Sequence, residues 1–463
     1  METVTTKLVP ITSDLAAKEQ IRFKRDDGDE QTIDHQDVVG VVPTSDMLSA
    51  HVVYVEHDEK DTAAPPQIRI TSGITSRTTS RTTSGTTSRT TSRTIHGDAP
   101  SLDTSDTETH IILSSGSGSN LAINFFEDAV KPALAVLFPK SHKGFHIHQT
   151  QSTETILNLT NSVFFPKADK GSLLRIILLS GDGGIIDLIN GLLAKPASSD
   201  YKAPQVVLLP LGTANALYHS INAGKDNTWG LRALASNAHK PLPVFAATFS
   251  EGARLLVDEA RREEELPKDH KSQYPILHGA VVGSWGMHAS LVADSDTVEY
   301  RKFGLERFKM AAKEALYPAS GSPPHAYKAK ISILKGDTWA PLEEEEHMYV
   351  LASMVSNIEK TFTISPSSKP LDANLHLVRF GPTSGDEAMR IMGLAYQGGK
   401  HVDDPAVLYE SIDGVKIEFQ AKEEDPRWRR ICIDGKIVRV EKDGWVEIRK
   451  EERRVLDVVV AQV

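Results

Sequence analysis

The stretch Leu178-Leu179-Ser180-Gly181-Asp182-Gly183-Gly184-Ile185-Ile186 constrains this chain more than any other. An apolar run enters a turn of three glycines and one carboxylate, and a helical stripe of Ile185, Ile186, Leu188, Ile189, Leu192 and Leu193 leaves it. Such a junction needs a buried strand that opens onto a helix N-terminus. Glycines let backbone N–H groups approach a polyphosphate closely, and the helix end adds partial positive charge. Alone, the turn reads equally well as an ordinary strand–turn–helix junction with an incidental Asp182. A second junction follows at Leu208-Leu209-Pro210-Leu211-Gly212-Thr213-Ala214-Asn215-Ala216-Leu217, again a strand, a glycine-containing loop and a helix. Two such junctions in succession make an incidental turn a poorer account than either does alone.

Around these junctions short apolar runs alternate with helical stripes. His110–Leu113, Phe145–Gln149, Leu173–Leu179 and Val206–Leu209 read as strands, and their alternation with helices predicts a mostly parallel sheet in an α/β nucleotide-binding domain over residues 106–242. After about Leu242 the periodicity moves toward two. Val244–Ser250 and Ala253–Val257 are expected to form a hairpin about Glu251-Gly252, with further strands at Ala280–Ser284, Tyr349–Ser353, Asn374–Phe380, Val415–Phe419 and Trp428–Ile433. The expected fold class is therefore α/β, with a C-terminal antiparallel β-rich domain over residues 243–463. The charged run Asp258–Glu265 reads as a solvated helix, and Glu343–Glu346 as an exposed loop.

Upstream, residues 1–70 carry two short strand patterns, Val38–Val42 and His51–Val55, behind a charged, loose Met1–Glu30. Residues 71–105 read as a disordered linker. Within it, Thr71–Thr94 is a Thr/Ser/Arg repeat with Arg77, Arg81, Arg89 and Arg93, Gly85 in the skipped place, and Ile74 as its one large apolar residue. Because this repeat separates them from every motif, residues 1–105 are expected to be dispensable for chemistry. The formal net charge of -10 argues against nucleic acid as a partner. The single cysteine, Cys432, fits a reducing, cytoplasmic setting and reads as a packed strand residue. Met1–Asp14 has no apolar signal region, and no apolar run approaches the roughly 18 residues of a spanning helix.

Taken together, the two junctions resemble the nucleotide-binding motifs of the diacylglycerol kinase catalytic superfamily, an S-G-D-G turn and a P-x-G-[ST]-x-N loop. In register upstream, Ile111–Asn120 resembles that family's first strand and phosphate loop, and Thr150 its intervening threonine. Ser284-Trp285-Gly286, Val292–Asp296 and Tyr300–Phe308 resemble, in order, the A-W-G, A-D-x-D and Y-R-x-L-G-x-x-R-F signatures of sphingosine kinases. Gly398–Val402 and Arg429–Lys436 resemble the G-G-K-H region and the late D-G-E motif, extending the likeness over most of Thr107–Val440. Departures are Ser114-Ser115 for Asn-Pro, no lysine after the glycines of that loop, Ala214 for glycine and Lys436 for glutamate.

The resemblance implies an ATP- and Mg²⁺-dependent kinase that phosphorylates a hydroxyl of a sphingoid base, its β-rich domain binding the lipid and touching the membrane peripherally. By that likeness Asp182 is the catalytic base. Ser114, Gly116, Gly118, Thr150, Gly181, Gly183, Gly184, Gly212, Thr213, Asn215, Arg301, Arg307, Asp434 and Gly435 hold the nucleotide, and Ser284 and Asp296 the lipid head. Asp434 is also a candidate to assist Mg²⁺ directly or through water. Diacylglycerol or ceramide kinases, a non-catalytic lipid-binding relative and a nicotinamide nucleotide kinase stand as alternatives. Tyr300–Phe308 speaks against the last, and intact Asp182 against the non-catalytic relative. His142, His146 and His148 invite a metal reading, but hydrogen-bonded strand histidines account for them better.

Overall fold

The computed structural model describes residues 20–25, 30–44, 49–61, 64–78, 107–139, 144–222, 224 and 226–461. Its first unit is a five-stranded antiparallel sheet, more than the two short strands expected. β1 (Gln20–Arg25), β2 (Glu30–Asp34), β3 (Val38–Pro43), β4 (Ala50–Glu56) and β5 (Gln67–Thr78) stand in the order β2-β1-β5-β4-β3. The start of the Thr/Ser/Arg repeat, Thr71–Thr78, therefore lies in β5 and pairs with both β1 and β4, correcting the linker boundary at residue 71. Threonines suit a pleated backbone, and partners on both sides supply the hydrogen bonds that apolar content alone does not reveal. The rest of the repeat lies outside the described residues.

This sheet is docked, not tethered. Val39, Val42, Val53 and Val55 share a core with Ile111, Phe125, Phe126, Leu134, Leu137 and Leu231 of the next unit. Gly40 lets β3 approach so closely that a Cβ there would meet Leu137 Cδ2 at 2.9 Å. The buried Arg232 guanidinium donates to the carbonyls of Val38 and His35, and Asn227 Nδ2 donates to Asp37 Oδ1 at 2.7 Å.

The second unit is the parallel sheet. β6 (Thr107–Leu113), β7 (His146–Gln149), β8 (Leu173–Ser180) and β9 (Gln205–Pro210) lie in the order β7-β6-β8-β9, all parallel. The order reverses between β6 and β8, and in open α/β sheets ligands bind at the strand C-termini beside that switch point. β8 is nearly continuous in buried apolar residues, as a central parallel strand must be. The sheet is completed from the far end of the chain: Asp457–Val459 pairs parallel to β9, and β10 (His239–Pro241) pairs antiparallel to Asp457–Val459. The C-terminal domain thus does not own all of residues 243–463. A buried apolar run shows that it is a strand but not which sheet receives it.

Two antiparallel sheets follow. In the six-stranded one, β11 (Val244–Phe249) lies between Ile276–Gly279 and Trp445–Glu451, followed by Gly414–Glu418, Lys330–Lys335 and Thr338–Pro341. In the eight-stranded one, β12 (Arg254–Val257) lies between β13 (Arg262–Glu265) and Lys436–Arg439, followed by Arg430–Ile433, Val282–Gly286, Tyr349–Ser353, Leu375–Phe380 and Val407–Ile412. The expected β11–β12 hairpin does not form, because the chain changes sheets across Glu251-Gly252. The charged run at 258–265 is not a helix either. Asp258, Glu259 and Ala260 turn with positive φ and Arg262–Glu265 returns along β12. Dense charge marked a wet surface correctly but carried no period to separate helix from hairpin.

Candidate active site

Three loops meet at the C-terminal ends of β6, β8 and β9. Ser114 N–H donates to the Leu179 carbonyl at 3.0 Å, and Leu211 N–H to the Ser180 carbonyl at 3.1 Å, so each loop leaves its strand held to its neighbour. Gly181 and Gly212 touch backbone to backbone: a Cβ on Gly212 would sit 2.3 Å from Gly181 Cα. Gly118 has φ +53°, and a Cβ there would meet the Leu211 carbonyl oxygen at 2.5 Å. These glycines are therefore required by close approach. A Cβ on Gly116 or Gly183 instead meets nothing within 4 Å, and Gly184 packs the helix Asp182–Leu193 onto Ser180.

Side chains lock the loops. Thr150, buried just after β7, accepts the Ser115 N–H on Oγ1 at 3.0 Å while Ser115 Oγ donates to its carbonyl at 2.9 Å. Ser117 Oγ accepts the Gly181 N–H at 3.0 Å. Ser117 was not singled out in the sequence, though a hydroxyl between two glycines of a phosphate loop was a usable signal. Asn215, at φ +52°, accepts the Gly212 N–H on Oδ1 at 2.8 Å and donates Nδ2 to the Gly212 carbonyl at 3.0 Å, with the half-buried Thr213 between.

Asp182 lies at the seam between these loops and a cavity of about 500 Å³ in the β-rich half. Its carboxylate accepts the N–H groups of Ala216 at 2.8 Å and Leu217 at 3.0 Å, the start of the helix Ala216–Asn222. Burial pushes its pKa up, with those two amides pulling the other way. The cavity is walled by Val281, Met287, Leu291, Phe308, Tyr349, Phe362 and Met392, an apolar chamber with Asp182, Asp296, Glu359 and Asp434, and also Arg307 and Lys309, on its lining. Met389, Met392 and Tyr396 come from the helix Gly385–Ala395 and the residue after it, which no sequence motif had marked.

Asp434 and Gly435 form the two-residue turn between Arg430–Ile433 and Lys436–Arg439, both with positive φ, as an Asp-Gly hairpin turn requires. They line the apolar cavity. The Asp434 carboxylate accepts N–H groups from Ala280 at 2.6 Å, Val281 at 3.1 Å and Val282 at 2.5 Å. Burial nevertheless raises its pKa to about 7, with nearby Asp182 adding to the rise. With both oxygens engaged by backbone amides, Asp434 fits a structural acceptor better than a direct Mg²⁺ ligand. Among the described residues no group of three or more His, Cys, Asp or Glu side chains is arranged to hold a metal ion. Lys436, which replaces the family's glutamate, pairs with the buried Asp187 at 2.9 Å.

The two arginines expected at the ATP phosphates both reach Asp296. Arg301 donates Nε and Nη2 to the two oxygens of Asp296, both at 2.9 Å, and Arg307 Nη1 stands 3.6 Å from Asp296 Oδ1. Asp296, Arg301 and Arg307 are one cluster, with Asp296 and Arg307 on the cavity lining. Arg307 Nε is buried without a partner. Ser284 is buried behind the lining, where its Oγ lies 2.7 Å from His288 Nδ1; His288 itself faces the cavity, its pKa held to about 4 by burial. His142 lies outside the described residues. His146 and His148 stack on His110 at 4.9 and 5.2 Å, and His110 Nδ1 lies 2.9 Å from His148 Nε2, a hydrogen-bonded stack rather than a ligand set.

Comparison with known proteins places the three loops within one matched region. Residues 108–247, which contain all three loops, match the diacylglycerol kinase catalytic domain. The chain is 22% identical to Sphingosine kinase 1 of Homo sapiens over 340 residues, 66% of this chain and 81% of that protein. A crystal structure from Bacillus anthracis str. Sterne, described as that of a "putative diacylglycerol kinase", superposes with a TM-score of 0.50 at 16% identity, covering 76% of this chain and 94% of that one. The shared fold is thus the mixed α/β arrangement with a parallel sheet followed by antiparallel sheets.

Proposed function

We propose that this chain, a lipid kinase carrying a diacylglycerol kinase catalytic domain over residues 108–247, transfers the γ-phosphoryl group of ATP to a hydroxyl of a sphingoid long-chain base. The carrying observation is the cavity: one apolar chamber of about 500 Å³ whose lining holds Asp182, Asp296 and Asp434. A single-chain cationic amphiphile matches it, with the tail against Leu291, Phe308 and Met392 and the ammonium among carboxylates.

Phosphoryl transfer asks a protein mainly for positioning and charge balance. The loops at Gly116, Gly183 and Thr213 would hold the ATP phosphates through their backbone N–H groups. Mg²⁺, when bound with the nucleotide, would supply charge neutralisation on the phosphate oxygens. Asp182, at the seam of both sites, accepts the hydroxyl proton, and the raised pKa that burial confers makes it a better base than an exposed carboxylate. Peripheral membrane contact is supported by exposed Val298, Phe303, Leu305 and Met310 beside the cavity, and no helix of the described residues is long and apolar enough to cross a membrane.

A diacylglycerol or ceramide kinase is the second reading, and one observation favours it: Asp296 is already paired with Arg301, so its charge is balanced without an ammonium. Turnover of Mg-ATP against sphingosine, ceramide and diacylglycerol in mixed micelles separates the two. The sphingoid base should be the best substrate, and Asp296→Asn should lower its kcat/KM about tenfold while changing diacylglycerol turnover much less. Preference for a neutral lipid, or an equal loss on all three, would replace the first reading with the second.

A further inference from the structure

At the end of the parallel sheet away from the three loops is a second cavity, of about 310 Å³, that phosphoryl transfer does not use. Thr109 of β6, Arg175 and Ile177 of β8, and Gln205 and Val207 of β9 form its floor. Leu134, Phe138 and Leu234 form its roof. Register places Thr109, Arg175 and Gln205 in one row across three strands. The next row on the same face is Ile111, Ile177 and Val207, all buried in an apolar core. The row that holds Arg175 is thus polar across three strands, directly beside an aliphatic one.

Arg175 is 9% exposed. Its Nη2 donates to Gln205 Oε1 at 3.0 Å and Asn237 Oδ1 at 3.3 Å, both neutral acceptors, while its Nε is buried with no partner. No carboxylate of the described residues pairs with it. Asp457, on the neighbouring strand, is taken by His239 at 2.7 Å and by Arg454. Burial without a counter-charge pulls the guanidinium pKa down to about 10. A buried cation that lines an open cavity with no carboxylate partner is incomplete without an anion.

We propose that this cavity is a binding site for a monocarboxylate with an aliphatic body, its head on Arg175 and its chain against Leu134, Phe138 and Val207. One guanidinium balances one negative charge and presents planar donors that match a carboxylate. A phosphate dianion would call for a second cation; the other basic side chain on the described lining, His239, is already taken by Asp457, and a neutral alcohol would leave Arg175 uncompensated. The volume is near the lower end of small-ligand pockets, roughly 300–1,000 Å³, which suits a chain of about eight carbons and not a full lipid tail.

The test uses the full chain and octanoate, followed by titration calorimetry and thermal unfolding. Octanoate should bind saturably at one site and raise the unfolding temperature, in the presence and absence of saturating sphingosine. Octanol and inorganic phosphate should do neither, and Arg175→Met should weaken octanoate binding at least tenfold. Since Arg175→Met alters a buried position, crystals of the unaltered protein soaked in 8-bromooctanoate provide a second arm, with an anomalous bromine peak expected between Leu134 and Phe138. Absence of saturable binding, displacement of octanoate by sphingosine, equal binding of phosphate, retention of affinity in Arg175→Met, or a bromine peak only in the Asp182–Asp296 cavity would each overturn the assignment.

Discussion

Two carboxylates facing one cavity do different work because their partners differ. Asp182 is held by Ala216 and Leu217 at the start of a helix, which fixes its orientation toward both the loops and the chamber. Asp182→Asn keeps the shape, loses the proton acceptor and turns an N–H donor toward one amide. Its kcat should fall about a hundredfold or more with a folded circular dichroism spectrum, and a near-normal kcat would remove Asp182 from the proton path. Asp434 instead carries a pH signature. Its folded pKa of about 7 is above its ordinary 3.8, so between these values the folded chain holds a proton that the unfolded chain releases. That contribution is complete below about pH 4 and is lost as pH rises through about 7. Asp434→Asn should reduce stability overall, because an amide cannot accept three N–H groups, yet flatten the decline between those pH values. Unfolding midpoints measured from pH 4 to 8 check the slope independently of the offset.

Among elements, the three loops make the sharpest distinction, since glycines of equal prominence in the sequence have unequal roles. Gly212→Ala would drive a methyl group to 2.3 Å from the Gly181 backbone, which cannot rotate away. Gly183→Ala meets nothing within 4 Å. The first substitution should therefore raise the KM for ATP by an order of magnitude or more, or destabilise the fold by about 1–3 kcal/mol, whereas the second should leave stability nearly unchanged. Equal effects in paired thermal and kinetic measurements would mean that the loops are not in contact as described. Similar reasoning accounts for Lys436. Opposite Asp187 it completes an ion pair across the helix Asp182–Leu193 and the late hairpin, so a departure from the family pattern has a local structural partner.

For the whole molecule, the N-terminal sheet is the largest departure from the sequence reading. Residues 1–105 looked separable because a low-complexity repeat stood between them and every motif, but β3 and β4 bury four valines against the catalytic unit and Arg232 finds carbonyl acceptors there. Each buried valine contributes about 1.5–3 kcal/mol. Removal of residues 1–105 should therefore lower the melting temperature by roughly 10 °C or more and lose turnover through unfolding, not through chemistry. A truncated chain with an unchanged melting temperature, measured by calorimetry, would restore the dispensable reading.

The sequence by itself determined the local chemistry: strand, glycine turn, carboxylate and helix at 178–191, its repetition at 208–217, and the shift from parallel to antiparallel patterning near residue 242. These were legible because backbone conformation and phosphate access are decided within a few residues, where glycine and Asp182 leave little choice. Tertiary structure alone decided what each strand pairs with and what each charge faces. A period of two shows which side of a strand is buried but not in which sheet, so β11 and β12 could part, and Asp457–Val459 could return to the parallel sheet. Arg301 and Arg307 matched an ATP-site motif and yet met Asp296, five residues before the first of them, because an ion pair depends on three-dimensional proximity, which motif order does not carry.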